Sequence, residues 1–336
     1  MPRIGTNPFR GQKLGFTPPR VTVAVLVYAP HEAGYFEHRL AVTRLTLQSI
    51  LANTEGPFEL LVFDNGSCPE MVEYLQGLYR TGQIDTLLLS AQNIGKLNAL
   101  WRIAHTAQGS VIAYTDDDVY HLKGWLPEHL KILDTYPNTG AVTGFYIKQR
   151  VGMSSSKTLE WVDKGHADDV VKGQLIPRKW EDEYIDNSGR TEERYQSEIA
   201  GLEDVVVTYH GVKAWVSAHH FQVMMPKQVF LEILTDMLPE GWSDLMMGRM
   251  VEMDDRMDAK GYLRLTTFPQ TMRLLGNVID EEVAQLAARD GIAVSAAAGT
   301  LKTQQKRSLA NNPRVRNLIQ GLINRLYHLL HQDRRM

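Results

Sequence analysis

A single cysteine, Cys68, in 336 residues leaves no partner for an internal disulfide and no ligand set for a cysteine zinc cluster, so it reads as a small loop residue. No stretch approaches the roughly 18 uninterrupted apolar residues that cross a bilayer. Met1 to Arg20 carries prolines and basic residues but no apolar signal core. The expected location is therefore cytoplasmic, at most peripheral at the inner face of a membrane. Internal repeats are absent, and a net charge of −3 favours no class of partner. Charge is nonetheless uneven: from Thr300 to Met336 eight Lys or Arg stand against one acid, Asp333. This tail lacks the aromatic interleaving of a single-strand channel and follows no groove-reading motif, so nucleic acid is not an expected partner. Leu318, Leu322, Leu326, Leu329 and Leu330 form an apolar stripe on a helix expected from Val315 to His331. Such a helix can lie on an anionic membrane surface, pack on its own domain or mediate self-association. With 43% apolar and 22% charged residues, the chain can bury one large or two smaller cores.

Short β-rich runs alternate with helical patterns in the first half. Val21 to Tyr28 reads as a buried strand ended by Pro30, and Leu40, Leu45, Leu47, Ile50 and Leu51 recur at helical spacing up to Asn53. Phe58 to Phe63 is a second strand, stopped by Asp64-Asn65-Gly66-Ser67, and a helix runs from Pro69 to Tyr79. Ile84 to Leu89, a turn at Asn93-Ile94-Gly95, a helix from Lys96 to Ala107 and a strand from Ser110 to Tyr114 complete the series. This alternation predicts a parallel sheet covered by helices on both faces, with ligands at the carboxyl ends of its strands. Three polar turns fall at those ends: Tyr28 to Glu32, Asp64 to Ser67, and Thr115 to Asp118. Asp163 to Glu203 is polar and aperiodic, which predicts a long loop or small insertion over the site. Beyond it lie a β-rich stretch from Val205 to Met225, helical patterns over Lys227–Met237 and Asp244–Lys260, a last strand from Leu263 to Phe268 and helices after Asp280.

The run Val111-Ile112-Ala113-Tyr114-Thr115 breaks into three carboxylates, Asp116-Asp117-Asp118. Side chains alternate along an extended segment, so Asp116 and Asp118 should face one side and Asp117 the other. Two carboxylates on one side suit Mg²⁺ or Mn²⁺, which such groups hold together with substrate phosphates. Taken alone, the triplet equally fits a polar turn whose side chains bond nearby backbone amides.

Pro30, Asp64-Asn65-Gly66-Ser67, Asn93-x-Gly95-Lys96, the aspartate triplet, and Arg256 followed by Gly261-Tyr262 occur in an order that resembles the inverting glycosyltransferases of family 2, over residues 21 to 277. The resemblance implies a GT-A fold, an α/β architecture with a mostly parallel sheet flanked by helices. It implies a tail at 1–20, a catalytic domain at 21–280 and a helical, basic C-terminal extension at 281–336. Within the catalytic domain, 21–122 would be the nucleotide half and 123–280 the acceptor half, with an insertion near 163–203. The implied activity moves a sugar from a UDP-, GDP- or dTDP-linked donor to a hydroxyl of a glycan, glycolipid or small acceptor, with inversion. Pro30, Glu32, Asp64, Asn93, Lys96, Asp116, Asp117 and Arg273 would contact the donor. Asp64 would take a hydrogen bond from the nucleobase, and Lys96 would lie near base or diphosphate at a helix start, unless it is a solvated surface lysine. Asp118, with Asp116, would ligate Mn²⁺ or Mg²⁺ bridging the diphosphate. A retaining transferase, or a catalytically silent relative that binds a nucleotide-sugar or a partner protein, would share these features. A nucleotidyltransferase fits less well, because Tyr28-Ala-Pro-His-Glu32 is not a Gly-rich basic loop.

The chain departs from the family pattern in two places. Inverting transfer needs a base for the acceptor hydroxyl, and the usual acidic pair ahead of Arg256 aligns with Arg249-Met250. The remaining acids are Asp244, Glu252, Asp254 and Asp255. Asp244, after Gly241-Trp242-Ser243, ranks first as base and Glu252 second, against the alternative of an exposed acidic face paired with Arg249 and Arg256. No metal-binding histidine follows the last strand, where Arg273 could instead neutralise a diphosphate. His219-His220 fall on the acceptor side, and neighbours in a strand point to opposite faces, so at most one should face substrate. Trp215 and Trp242 are either sugar platforms or core.

Overall fold

The computed structural model describes residues 5–7, 9–148 and 155–294. All belong to the first of two units, Met1–Gly299, the second being Thr300–Met336. The helix expected from Val315 to His331, and with it the membrane and self-association readings, lies outside the described residues.

In chain order the elements are β1 (Val21–Val27), α1 (Arg39–Asn53), β2 (Phe58–Asp64), α2 (Pro69–Arg80), β3 (Thr86–Leu89), α3 (Lys96–Thr106), β4 (Val111–Asp116), β5 (Val119–His121), α4 (Trp125–Thr135) and β6 (Thr139–Thr143). There follow α5 (Ser156–Asp163), β7 (Asp169–Gly173), α6 (Arg178–Ser188), α7 (Glu192–Ile199), β8 (Asp204–Tyr209), β9 (Val212–Val216), β10 (Gln222–Pro226), α8 (Lys227–Met237), α9 (Val251–Ala259), β11 (Leu263–Thr267), β12 (Met272–Leu274) and α10 (Glu281–Arg289).

Ten strands form one sheet in the order β3-β2-β1-β4-β10-β6-β11-β9-β8-β7, and β12 pairs with β5 separately. All strands of the large sheet except β10, β9 and β7 point the same way. The expected architecture, a mostly parallel sheet flanked by helices, is what the structure shows. Every residue of β1 is buried, as a central strand covered on both faces requires. Val21, Val23, Val25 and Val27 pack with Leu47 and Ile50 of α1, Met71 and Leu75 of α2, and Trp125 of α4. Ala24 and Leu26 pack on the opposite face with Leu100 of α3, Phe230 of α8, and Met253 and Met257 of α9.

Two stretches differ from expectation. Residues 163–203 are not a plain loop: they carry β7, α6 and α7. Their helices bury little, Glu183, Tyr184 and Ile185 in α6 and Tyr195 and Ile199 in α7, so no strong apolar period marks them. The helix expected over Asp244–Lys260 begins only at Val251. Ahead of it the chain bonds outward rather than to itself. Lys96 N donates to Met246 O at 2.7 Å, and Asn98 and Ser243 bond each other both ways at 2.7 and 2.9 Å. Gly248, at φ 67°, then occupies the left-handed region that interrupts a helix.

Candidate functional site

β2 and β4 flank β1, with Asp64 opposite Val27 and Asp116 opposite Leu26. Their Cα positions thus lie one residue apart in level along the sheet, two strand spacings or roughly 10 Å apart. Asp64 is buried and accepts from Ser67 N at 3.2 Å, while its Oδ1 has no partner in the protein. Burial raises its pKa, and the hydrogen bonds from Ser67 and Gly66 oppose this. The turn that carries it is locked to the next one. Asn65 Nδ2 donates to Asn93 Oδ1 at 3.0 Å, Ile94 N to Asn65 Oδ1 at 2.9 Å, and Gly95 N to Asn93 Oδ1 at 2.8 Å. Gly66 is required there: at φ +85° a Cβ would lie 2.6 Å from the Gln92 carbonyl carbon. Pro30 is half-buried and Glu32 exposed in the loop after β1. Cys68 is buried directly before α2, its NH on Ala29 O at 2.8 Å.

The triplet divides as alternation requires. Asp117 turns into the protein against α1, accepting from Arg39 Nη1 at 3.1 Å and Thr43 Oγ1 at 2.9 Å, while Thr46 Oγ1 bonds its carbonyl at 3.0 Å. Burial pushes its carboxyl up to about 7 despite the Arg39 charge. Asp116 and Asp118 face a common cavity of about 320 Å³, shared with Tyr184, Arg190, His219 and His220. Each has a cationic neighbour. Lys96 Nζ bonds both oxygens of Asp116 at 2.7 and 2.9 Å, and the Tyr114 hydroxyl also donates to Asp116. Arg39 Nη1 reaches Asp118 at 3.0 Å, and its Nη2 donates to Asn277 Oδ1 at 2.8 Å. Burial raises Asp118 as well, with Arg39 opposing.

Lys96 is therefore no free surface lysine: its side chain is 11% exposed and its ammonium sits on Asp116. Three acids stand against Arg39 and Lys96, and two of the carboxylates face one cavity. That hard-oxygen pair fits a divalent cation whose remaining ligands come from phosphate oxygens and water. Among the described residues no three metal-ligating side chains gather.

Arg273 is placed differently from expectation. Its Nε lies 2.7 Å from Glu183 and its Nη1 2.9 Å from Glu282. The guanidinium, buried between two carboxylates, fastens β12 to α6 and α10 rather than offering itself to a diphosphate. Of the acids ranked as base, Asp244 is exposed in the loop pinned beside Lys96. Glu252 lies on α9 between Arg249 at 3.2 Å and Arg256 at 3.5 Å. Neither is among the residues lining the Asp116–Asp118 cavity. Both histidines are, and they lie in the non-strand link between β9 and β10, where strand alternation does not govern their directions. His219 is 3.3 Å from Ile147 O through Nε2, and burial lowers it to about 3. Trp215 is core, stacked on Tyr146 at 4.5 Å, and Trp242 is 53% exposed.

Sequence reasoning missed Arg39, the residue that ties the triplet to α1. The available signal was Arg39, Thr43 and Thr46 at i, i+4 and i+7, a polar stripe on a helix otherwise read only for its leucines. It also missed Tyr184 and Arg190 of the insertion as cavity walls.

Residues 35–191, a little under half of the chain, match the family model described as glycosyl transferase family 2. No curated protein matches in sequence. Among solved structures, the mannosyltransferase PcManGT from Pyrobaculum calidifontis, in complex with GDP-Man and Mn²⁺, is 15% identical with a TM-score of 0.41, over 78% of this chain and 60% of that one. S. aureus TarS 1–349 in complex with UDP-GlcNAc is 12% identical with a TM-score of 0.41, over 76% of this chain and 58% of that one. The chain spans less than two thirds of the length of either.

Proposed function

We propose that the chain is a glycosyltransferase that moves a sugar from a nucleoside diphosphate donor to a hydroxyl of a glycan, glycolipid or small acceptor, with inversion. The observation that carries this is the unpartnered Oδ1 of buried Asp64 at the end of β2, two strands from β4, whose Asp116 faces a cavity together with Asp118. A buried acceptor without a partner costs about 1–3 kcal/mol, and a nucleobase N–H supplies the missing donor. Pro30 and Glu32, in the loop after β1, would add contacts to the donor, and Asn93 holds the turn next to Asp64 in place. Asp118 and Asp116 would hold Mn²⁺ or Mg²⁺ against the diphosphate. Bound there, the ion supplies Lewis-acid stabilisation of the departing nucleoside diphosphate. Lys96, at the start of α3, adds an ammonium and a helix N-terminus, both favouring phosphate. Asp117 and Arg39 fix the turn from behind. Attack from the face opposite the leaving group needs a base, for which the sequence offers Asp244 and then Glu252.

The test has two stages. Thermal shift with UDP, GDP and dTDP, each with and without Mn²⁺, should find one nucleotide that stabilises the protein in a Mn²⁺-dependent way, and Asp118→Ala should abolish that dependence. Incubation with the corresponding labelled nucleotide-sugars should then release free nucleoside diphosphate. Binding without release from any donor would reduce the chain to a nucleotide-sugar-binding relative.

A further inference from the structure

The cavity that Asp116 and Asp118 face is also lined by a histidine with a buried carboxylate behind it. His220 Nδ1 lies 3.2 Å from Asp254 Oδ2, and Asp254, 1% exposed on α9, has its other oxygen 2.7 Å from Arg264 Nη2 of β11. Arg264 also donates to Ala218 O in the link that carries His220. The carboxylate is thus anchored on one side and aimed at the imidazole on the other. With Nδ1–H donating to Asp254, Nε2 keeps its lone pair and is the nitrogen left for the cavity that His220 lines. His220 is accessible, its side chain 23% exposed, whereas the acids ranked from sequence lie elsewhere. An imidazole backed by a buried carboxylate is the arrangement by which a histidine takes a proton from a hydroxyl and is stabilised as imidazolium.

Building on the transferase reading, we infer that His220, oriented by Asp254, is the general base. His220 Nε2 takes the acceptor hydroxyl proton as that oxygen bonds to the anomeric carbon. The bond from that carbon to the diphosphate oxygen breaks, and its electron pair leaves with the nucleoside diphosphate. Asp254 is a positioning residue.

The test uses the full chain, Mn²⁺ and whichever labelled nucleotide-sugar the wild type turns over, with water as acceptor. His220→Asn keeps a donor near Asp254 and removes Nε2. Release of nucleoside diphosphate should fall about 100- to 10,000-fold, while the Mn²⁺-dependent thermal shift with the free nucleotide stays within about twofold in apparent affinity. His220→Gly should be equally slow and recover at least tenfold on adding imidazole, which a structural defect would not. Release by His220→Asn at the wild-type rate overturns the assignment, as does loss of release in Asp244→Asn but not in His220→Asn. A wild type that binds nucleotide but releases none from any donor overturns the transferase reading itself, and this inference with it.

Discussion

Two buried arginines, Arg39 and Arg264, each hold carboxylates that support residues lining one cavity, and their own pKa values shift in opposite directions. Around Arg39 and Lys96 stand Asp116, Asp117 and Asp118, acids in excess. Burial pulls the Arg39 pKa down, but the charges of Asp117 and Asp118 outweigh it and the net shift is upward. Around Arg264, burial dominates and the net shift is downward even with Asp254 at 2.7 Å. The Arg39 end thus sets three acids against two cations, while at the other end Arg264 pairs with Asp254, which also meets His220, and feels the charges of Asp255 and Asp258 as well. On the proposed reading, one cavity would hold a charged leaving group beside a group that moves a proton.

The comparison breaks most directly by removing the arginines. Arg264→Ala leaves Asp254 buried and uncompensated, and should cost about 3–5 kcal/mol in urea unfolding. Arg39→Ala should cost less, about 1–3 kcal/mol, because Asp117 can escape by taking a proton. Its carboxyl already titrates at about 7 in the intact protein, pushed up by burial. With a folded value above the unfolded one, protonation of Asp117 favours the fold at low pH, and that contribution is lost as pH rises through about 7. The Arg39→Ala deficit should therefore grow between pH 6 and 8. Equal, pH-independent losses in the two variants would mean that the ends do not differ. Next in size is Asp64→Ala. Losing a hydrogen bond to a charged acceptor costs about 1.5–3 kcal/mol, which corresponds to roughly a 10- to 150-fold weaker nucleotide Kd by calorimetry. Its folding stability should change little, since the variant deletes an oxygen that lacks a partner along with the one that accepts from Ser67 N.

The donor end was far more legible in the sequence than the acceptor end, for physical reasons. β1, β2 and β4 are buried on both faces, so their apolar runs and their abrupt polar ends at Pro30, Asp64 and Asp116 are local signals. Alternation alone separated Asp117 from Asp116 and Asp118. At the acceptor end nothing local marks the site. His220, Asp254 and Arg264 come from a loop, a helix and a strand more than thirty residues apart at the extremes, and only β11 packing in the sheet brings them together. Read as a helix, Asp244 to Lys260 hid the loop whose polar groups bond α3 instead of themselves. Arg273 read as a phosphate ligand because its two glutamates, Glu183 and Glu282, are distant in sequence.

A smaller effect separates buried imidazoles from the carboxyls. His129 is fully buried, its Nδ1 2.7 Å from Trp125 O, and burial lowers it to about 4 from an ordinary 6.5. A depressed imidazole contributes stability above its unfolded value, lost as pH falls from 6.5 towards 4. That is the reverse of Asp117. His129→Asn should keep the bond to Trp125 and flatten the acid limb of the stability curve by about 1.4 kcal/mol per pH unit. An unchanged slope would show that His129 is not held neutral.

The smallest effect is expected at Glu252. Its partners Arg249 and Arg256 are 75% and 36% exposed and it is itself 35% exposed. Water screens such pairs, and three side chains must be held still to make them, so Glu252→Gln should change stability by under about 1 kcal/mol. The contrast with Arg264→Ala is informative because α9 carries both charges. Asp254, two residues on, faces inward to Arg264 and His220, while Glu252 faces solvent. A near-neutral Glu252→Gln beside a costly Arg264→Ala would assign the work of α9 to its buried face. Loss of nucleoside diphosphate release in Glu252→Gln, with nucleotide binding intact, would move the base to the outer face and leave the Arg264–Asp254–His220 chain as packing.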